Sequence, residues 1–182
     1  FSESAPVTIT VTPVNDAPVL SVIEDQTTLE DTPLSLTLFG DDVDGDELIY
    51  GSSSDNGDIS ANVIGDVLTL TPSDNYFGTG VITVTVTDGF LSDETEFTLM
   101  VTSVNDSPVL TSIEDQVTQE DSPLTLTLSS TDIDGDELSY ISESDNEDVS
   151  VSVIDDQLTL MPSDNYNGTA LVTVTVSDGF LT

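Results

Sequence analysis

The 182-residue sequence contains no lysine, no arginine and no histidine, although 36 of its residues are aspartate or glutamate. Its formal net charge at pH 7 is therefore −36. Nucleic acids and anionic membrane surfaces are bound through basic side chains, so neither is expected as a direct partner. The carboxylates also have no basic side chain with which to pair. Cations are the expected partners of this chain.

Cysteine and tryptophan are also absent. The chain therefore forms no disulfide and offers no thiol nucleophile or thiolate ligand. The absence of cysteine does not indicate whether the protein resides in an oxidising or a reducing compartment. No apolar run approaches the length of about 18 residues that a membrane span needs, and no charged region precedes an apolar stretch as in a signal peptide. Any targeting signal is expected outside this segment.

Apolar residues are not scarce, since they make up 36% of the sequence. This proportion separates the chain from disordered acidic tails, which bury too little apolar surface to fold. The apolar residues alternate with threonine or serine in short runs, such as VLTLTP at residues 67–72 and GVITVTVTDG at 80–89. Alternation with a period of two, rich in valine, isoleucine and threonine, predicts half-buried β-strands.

Residues 14–92 repeat at 104–182 with a constant offset of 90 positions, and 52 of the 79 aligned positions are identical. Each period contains about seven short predicted strands, so we expect an all-β chain of tandem immunoglobulin-like β-sandwiches. Antibody domains build their core around cysteines and a tryptophan, which this chain lacks. Its core is expected to consist of aliphatic side chains with Tyr50, Tyr76, Phe90 and their equivalents.

The repeat boundaries are predicted at the VND sequences, which places repeat 1 at residues 14–103 and repeat 2 at 104–182. Residues 1–13 resemble 91–103 and are predicted to be the last strand of a preceding repeat. Repeat 2 is expected to lack its own last strand, as in a stretch of a longer array. The alternative is that residues 5–12 complete the open sandwich of a neighbouring subunit by strand addition.

The carboxylates concentrate where predicted strands end. The sequence DDVDGDEL at residues 41–48 returns as TDIDGDEL at 131–138. Carboxylates that lie ~4–5 Å apart repel one another by roughly a few kcal/mol at an effective dielectric constant near 20. A fold that gathers them must protonate some or bind a multivalent cation, and oxygen ligands alone favour Ca2+ over Mg2+ and transition metals. A polar turn without a metal is the alternative for this motif taken alone.

Three stretches in this order resemble the cadherin-like repeats of bacterial surface proteins, the extender repeats of large adhesins. They are LEDTPLSLTLFGDDVDGDELIY at residues 29–50, VTDG at 86–89 and VNDSP at 104–108. The linker is shorter than in animal cadherins, and PSDNY is only a loose counterpart of the cadherin Asp-Arg-Glu motif. The resemblance implies tandem cadherin-like β-sandwiches with calcium ions at their joints.

By motif, the resemblance assigns oxygen ligands to three joints. The complete joint would use Glu30, Asp74, Asn105, Asp106, Asp132, Asp134 and Asp178; the joint on the N-terminal side would use Asn15, Asp16, Asp42, Asp44 and Asp88; Glu120 and Asp164 would face a further joint. Without Ca2+ the joints would repel and flex, and with it the array would become a rod.

The expected function is a calcium-rigidified structural or adhesive array of an extracellular surface protein or fibre, secreted or at the cell surface. It would act as a spacer or cell-adhesion stalk. Its expected partners are neighbouring repeats of the same chain or identical subunits, with cell-surface glycans as a further candidate. Catalysis is not expected, because no His, Lys or Cys is present to activate a nucleophile and the acids recur in every period.

Two alternatives remain open. One is a filament subunit closed by strand exchange. The other is a calcium-dependent carbohydrate-binding module, for which Tyr76 and Tyr166 are the aromatic residues to test, although core packing is the expected role of both.

Overall fold

The structure is a computed structural model that describes residues 2–182. Within these residues every regular element is a β-strand, which confirms the all-β expectation. None of them forms a helix long and apolar enough to cross a membrane. The chain divides into two compact units: unit 1 ends at Ser103, and unit 2 comprises Val104–Thr182.

Unit 1 contains nine strands among its described residues. They are β1 (Val19–Leu20), β2 (Gln26–Leu29), β3 (Leu34–Thr37), β4 (Gly40–Asp41), β5 (Ile49–Ser54), β6 (Ile59–Ile64), β7 (Val67–Pro72), β8 (Gly78–Thr87) and β9 (Ser92–Thr102). β1 is followed by β2 after five residues, and β3 by β4 after two. If each of these pairs is counted as one interrupted strand, the unit has the seven strands of an immunoglobulin-like sandwich.

The strands of unit 1 form two main sheets. One has the order β2–β9–β8–β5 and the other the order β3–β7–β6, while β1 pairs with β4. β2 and β9 run parallel, from Gln26 opposite Leu99 to Leu29 opposite Thr102. The other strand pairs are antiparallel. Because β1 and β2 have different partners, the first interrupted strand changes partners between Leu20 and Gln26.

The core of unit 1 lies between these sheets. Successive side chains of a strand point to opposite faces, so every second residue of β7, β8 and β9 points inward. The buried apolar side chains are Leu68 and Leu70 of β7, Ile82, Val84 and Val86 of β8, and Phe97, Leu99 and Val101 of β9, together with Leu20, Leu38 and Ile59. Burial of each such side chain stabilises the unit by about 1.5–3 kcal/mol relative to exposure.

The prediction that Tyr50, Tyr76, Phe90 and their equivalents belong to the core is partly wrong. Tyr50 and Tyr76 do pack against the core. The side chains of Phe90 and Phe180, however, are 87% and 84% exposed. Both phenylalanines lie in an Asp–Gly turn beyond the end of a strand, where the alternation of inward and outward positions no longer applies. Phe97 of β9 supplies the buried ring instead.

Unit 2 repeats most of this arrangement. Its strands are β10 (Val109–Leu110), β11 (Leu124–Thr127), β12 (Ser130–Thr131), β13 (Ser139–Ser144), β14 (Val149–Ile154), β15 (Gln157–Pro162) and β16 (Val172–Ser177). One sheet has the order β11–β15–β14, β13 pairs with β16, and β10 pairs with β12. Each register is that of unit 1 shifted by 90 positions, as in Leu124 opposite Leu160 and Leu34 opposite Leu70.

The described residues of unit 2 contain no counterpart of β2 or β9. Residues 104–182 correspond to 14–92, of which only Ser92 belongs to β9. The counterpart of β2, residues 116–119, is exposed and forms no strand, because β2 pairs only with β9. The missing partner also explains why β16 is shorter than β8. Residues 78–81 of β8 pair only with β9, so their counterparts in unit 2 have no strand to pair with.

Residues 2–13 form no strand and are exposed over their whole length. The expectation that residues 1–13 are the last strand of a preceding repeat requires pairing with that repeat, so it stays a prediction. Phe1, which that expectation includes, lies outside the described residues.

Candidate metal centre

Three loops meet at one end of unit 1: the linker before β1, the turn between β4 and β5, and the turn after β8. Their meeting follows from the registers, since Val19 lies opposite Asp41 and Ile49 lies opposite Thr87. The same registers recur in unit 2. We call residues 42–46 in unit 1 and 132–136 in unit 2 the acid turn of each unit.

The first aspartate of the acid turn organises the loop. Oδ1 of Asp42 accepts hydrogen bonds from the backbone N–H groups of residues 44, 45 and 46, at 2.9, 3.0 and 3.3 Å. An aspartate that accepts bonds from the backbone ahead of it favours a tight turn over a continued strand. Gly45 fits this turn because its φ of 78° is one that side chains rarely adopt. Asp132 makes the same bonds in unit 2, at 3.0, 3.1 and 3.3 Å.

The linker before β1 is attached to the acid turn by its backbone. The N–H of Asp16 donates to Oδ2 of Asp44 at 2.8 Å, and the N–H of Asp106 donates to Oδ2 of Asp134 at the same distance. The structure therefore brings these predicted ligands together in pairs, each pair within its own unit.

Asp88 joins the linker to the turn after β8. Its Oδ2 accepts a hydrogen bond from Nδ2 of Asn15 at 2.7 Å, and its Oδ1 accepts two from the N–H groups of Phe90 and Leu91, both at 2.7 Å. The Leu91 N–H, the Asn15 amide and the Phe90 N–H, in that order, hold the pKa of Asp88 below its ordinary value.

Asp178 has the equivalent environment in unit 2. The side-chain amide of Asn105 donates to Oδ2 at 2.7 Å, and the N–H of Leu181 donates to Oδ1 at 2.6 Å. Together these donors lower the pKa of Asp178, with the Leu181 bond contributing most and partial burial opposing the shift. The carboxylates at these positions are therefore ionised and held in place.

Acidification is expected to remove the stabilisation that Asp88 provides. Because its pKa is lower in the folded state, its bonds stabilise unit 1 fully above the ordinary value of 3.8 and are lost as the pH falls through the folded pKa. The asparagine of Asp88→Asn cannot ionise. The unfolding free energy of this variant should therefore be lower than that of the wild type at neutral pH, and this deficit should shrink below pH 3.8. Thermal unfolding of both proteins across this range measures the deficit.

The matched control is Asp58→Asn, which removes the same charge from an exposed residue of the β5–β6 turn. This variant should show no such pH dependence. A deficit of Asp88→Asn that is equal at every pH would contradict the assignment.

The acid turn gathers carboxylates that repel one another. Oxygen atoms of Asp42, Asp44 and Asp46 lie within 4.8 Å of one another, as do those of Asp132, Asp134 and Asp136. At this separation two unit charges repel by on the order of 3–4 kcal/mol at an effective dielectric constant near 20. The turn therefore places negative charges where a cation would be attracted strongly.

One carboxylate oxygen of each acid turn is buried without a hydrogen-bond partner among the described residues. It is Oδ2 of Asp42 in unit 1 and Oδ2 of Asp132 in unit 2. A buried polar atom without a partner costs about 1–3 kcal/mol, and a charged one costs more. A cation bound in the turn would supply the missing partner, so the residues present fit such an ion.

The other predicted ligands lie at the opposite end of each unit. The Glu30–Asp31 turn is tied to the Asp74–Asn75 turn by the N–H of Asn75, which donates to Oδ1 of Asp31 at 2.9 Å. An equivalent bond of 2.8 Å joins the turns that contain Glu120 and Asp164. Residues 34–41 of β3 and β4 separate this end from the acid turn by about 25 Å, at a rise near 3.3 Å per residue. Within one unit the two groups of ligands are therefore not brought together.

Asp46 and Asp136 belong to the acid turn but are not among the ligands predicted from the sequence. Each has a carboxylate oxygen within 4.8 Å of those of its two neighbours in the motif. Each is the third acid of a DxDGD sequence, so the motif itself contains them. Their closeness to the other two acids becomes evident only from the turn, whose backbone folds back on the first aspartate.

A family model described as bacterial Ig domain matches the chain twice, over residues 15–102 and 105–181. The two matches confirm that the chain contains two tandem repeats. The repeat bounds of 14–103 and 104–182 stay a prediction. The comparison with curated proteins finds no match.

Solved structures of cadherins share the fold. Human protocadherin-24 EC1-2 is 18% identical, with 92% of this chain and 90% of that chain covered at a TM-score of 0.60. Drosophila N-cadherin EC1-4 is 18% identical, with 90% and 48% covered at a TM-score of 0.54. An endo-fucoidan hydrolase of glycoside hydrolase family 107 is 22% identical, but its TM-score is 0.40 and this chain spans only 28% of it. The cadherin likeness confirms the cadherin-like sandwich, and it shows the fold alone.

Proposed function

This chain belongs to the bacterial Ig domain family, and on that basis we propose that it is a calcium-binding segment of structural repeats in an extracellular surface protein or fibre. In this role it acts as a spacer or cell-adhesion stalk. The observation that carries the proposal is the buried, unpartnered carboxylate oxygen found at the same place in both acid turns.

The donor set of the acid turn suits Ca2+. It consists of carboxylate oxygens, and neither imidazole nor thiolate exists anywhere in the sequence. Ca2+ takes six to eight oxygen ligands in a flexible arrangement, whereas Mg2+ needs a tight octahedron and keeps much of its water. The ion would supply positive charge at the point where three carboxylates repel one another.

The three aspartates of each acid turn would hold the ion. Asp16 and Asp88, with their equivalents Asp106 and Asp178, lie beside the turn through the hydrogen bonds described above. The contribution of Glu30 and Asp74 from a preceding repeat, and of Glu120 and Asp164 to a following one, stays a prediction.

The same proposal includes an extracellular location, which membership in the bacterial Ig domain family supports. Extracellular modules bind Ca2+ with dissociation constants of about 10⁻⁴–10⁻³ M, which suits a site built from a few carboxylates at a surface turn. The proposed partners are neighbouring repeats of the same chain or identical subunits.

A sugar-binding role finds less support. The hydroxyl of Tyr76 accepts a hydrogen bond from Nδ2 of Asn56 at 2.6 Å, and Tyr166 makes the same contact with Asn146. Both rings are half-buried. Neither tyrosine is an open aromatic platform, so glycans remain a candidate partner without a structural observation in their favour.

Calorimetric titration of the chelator-treated chain with Ca2+ tests the proposal. We expect at least one site in each unit and weaker binding of Mg2+, because the acid turns have the same donors in both units. Asp42→Asn should remove the site of unit 1, and Asp132→Asn should remove that of unit 2.

The control is Asp58→Asn, which removes one negative charge, as each single variant does, without touching an acid turn. It should bind as much Ca2+ as the wild type. If the double variant Asp42→Asn, Asp132→Asn binds Ca2+ like the wild type, the acid turns are not the sites.

A further inference from the structure

Each unit has a long edge strand that lacks the usual protection against further pairing. β6 lies at the edge of the sheet β3–β7–β6, and β14 lies at the edge of the sheet β11–β15–β14. Both strands have six residues, ISANVI and VSVSVI, none of them charged and none a proline. Proteins usually protect an edge strand with such residues or by keeping it short. The opposite edges of the same sheets follow this rule, because β3 and β11 have only four residues and each directly follows a proline.

The backbone of β6 presents free hydrogen-bonding groups at this edge. The carbonyl of Asp58 accepts a bond from the N–H of Ser73 at 2.8 Å, where the pairing of β6 with β7 begins. Along an antiparallel pair, residues that bond to the partner strand alternate with residues that point away from it. The even-numbered residues of β6 therefore bond to β7. The N–H and C=O groups of Ala61 and Val63 point outward, and β6 has no second partner strand among the described residues.

β14 has the same arrangement in unit 2. The N–H of Ser163 donates to the carbonyl of Asp148 at 2.7 Å, so the N–H and C=O groups of Val151 and Val153 point outward. The side chains of both valines face the core but are only half-buried, as is that of Val63 in unit 1. A strand added at this edge would pair the free backbone groups and cover these apolar side chains.

Exposed carboxylates stand at both ends of each edge strand. They are Asp58 and Asp66 in unit 1, and Glu147, Asp148, Asp155 and Asp156 in unit 2. The sequence contains no basic side chain that could pair with them. Each uncharged strand therefore lies between two groups of negative charge, and unit 2 has twice as many carboxylates there as unit 1.

These carboxylates disfavour pairing with the same strand of a second copy. Two β14 strands can pair antiparallel with either Val151 or the next residue at the centre, since both registers place outward-facing backbone groups opposite one another. The first register brings Glu147 opposite Asp155, and the second brings Asp148 opposite Asp156. Like charges directly opposite destabilise a strand pair, and the net charge of −36 on each copy adds to the repulsion.

We propose that β6 and β14 each bind an extended segment of a basic partner protein, which adds to the edge as a further strand. The recognised segment alternates polar and apolar residues and has lysine or arginine at both ends. Its backbone bonds to the outward-facing groups, its apolar side chains cover the half-buried valines, and its basic ends meet the flanking carboxylates. Unit 2 binds such a segment more tightly than unit 1, because it offers more flanking carboxylates.

A synthetic peptide of three Thr-Val units with two lysines at each end is the probe. Fluorescence anisotropy with the full chain should show saturable binding that weakens as the salt concentration rises, because salt screens the charged ends. The matched peptide has N-methyl groups on its valines, which keep the charge but remove the N–H groups that would pair with the edge. It should bind about tenfold more weakly or worse.

Amide hydrogen exchange locates the bound peptide. The amides of Val151 and Val153 have no partner strand in the free chain and should become protected when the unmethylated peptide binds. Those of Ala61 and Val63 should become protected at higher peptide concentration, since unit 1 is expected to bind more weakly. Protection confined to other residues would overturn the proposal.

A charge variant tests the role of the flanking carboxylates. Glu147→Gln combined with Asp148→Asn should weaken binding at unit 2 by about threefold or more. The matched control, Glu94→Gln combined with Glu96→Gln, removes two charges from exposed residues of β9 and should bind the peptide like the wild type. All four substitutions replace exposed side chains with amides of the same shape, so folding is not at risk.

The measurements are made with Ca2+ and with a chelator, so that their outcome does not depend on calcium binding. Equal affinity for the two peptides would mean that charge alone attracts them, and it would overturn the proposal. Sedimentation velocity of the chain without peptide completes the test. Self-association that protects the amides of Val151 and Val153 would assign the edge to a second copy of this chain and would also overturn the basic partner.

Discussion

Ca2+ at a hundred times its dissociation constant is expected to raise the unfolding free energy of each unit by about 2.7 kcal/mol per site, because the ion binds only the folded acid turn. For a domain of this size the melting temperature should rise by about 10–20 °C. The physical source is the relief of repulsion among the three carboxylates of the turn and the pairing of the buried Oδ2 atoms of Asp42 and Asp132. Differential scanning calorimetry between zero and millimolar Ca2+ measures the shift.

Two comparisons separate binding from charge screening. Mg2+ at matched ionic strength should produce a much smaller rise. Asp132→Asn combined with Asp134→Asn should abolish the Ca2+-dependent rise in unit 2, whereas Glu147→Gln combined with Asp148→Asn should preserve it. The control pair removes two charges from exposed residues beyond the far end of β13. Equal responses to the two ions would mean that the carboxylates are merely screened.

Leu70→Ala is expected to destabilise unit 1 by about 3 kcal/mol, within the range of 2–5 kcal/mol seen for buried leucines. Leu70 is completely buried between β7 and the opposite sheet, so its removal leaves a cavity that the packed neighbours cannot fill. Leu160→Ala deletes the equivalent side chain of unit 2, which is only half-buried. Its cost should be clearly smaller. Chemical denaturation of both variants measures the difference.

Equal costs of Leu70→Ala and Leu160→Ala would contradict this difference in burial. The control is Ile154→Ala on an exposed strand position, 73% exposed, which should change stability little.

The repeats and the strands could be predicted from the sequence because they depend on local pattern. The alternation in GVITVTVT predicts β8 since the period of two belongs to the strand itself. The grouping of Asn15, Asp16, Asp42, Asp44 and Asp88 is implied by the resemblance to cadherin-like repeats, and the structure brings these residues together at one end of unit 1.

The rest depends on partners that are distant along the chain. Residues 26–29 read QTTL and form β2, while residues 116–119 read QVTQ and form no strand. The difference follows from pairing, since β2 is held only by β9. The exposure of Phe90 could not be predicted either. The sequence alone does not distinguish an apolar residue of a turn from one of the core unless the last residue of the strand is known.

The parallel pairing of β2 with β9 determines how unit 1 carries tension. β2 lies near the beginning of the unit and β9 ends it, and the two strands point in the same direction over four paired positions, Gln26–Leu29 opposite Leu99–Thr102. A pull that separates the beginning of the unit from its end therefore acts along both strands in opposite senses. It loads all four pairs together in shear, whereas a hairpin pulled from its open end would break its pairs singly, in succession.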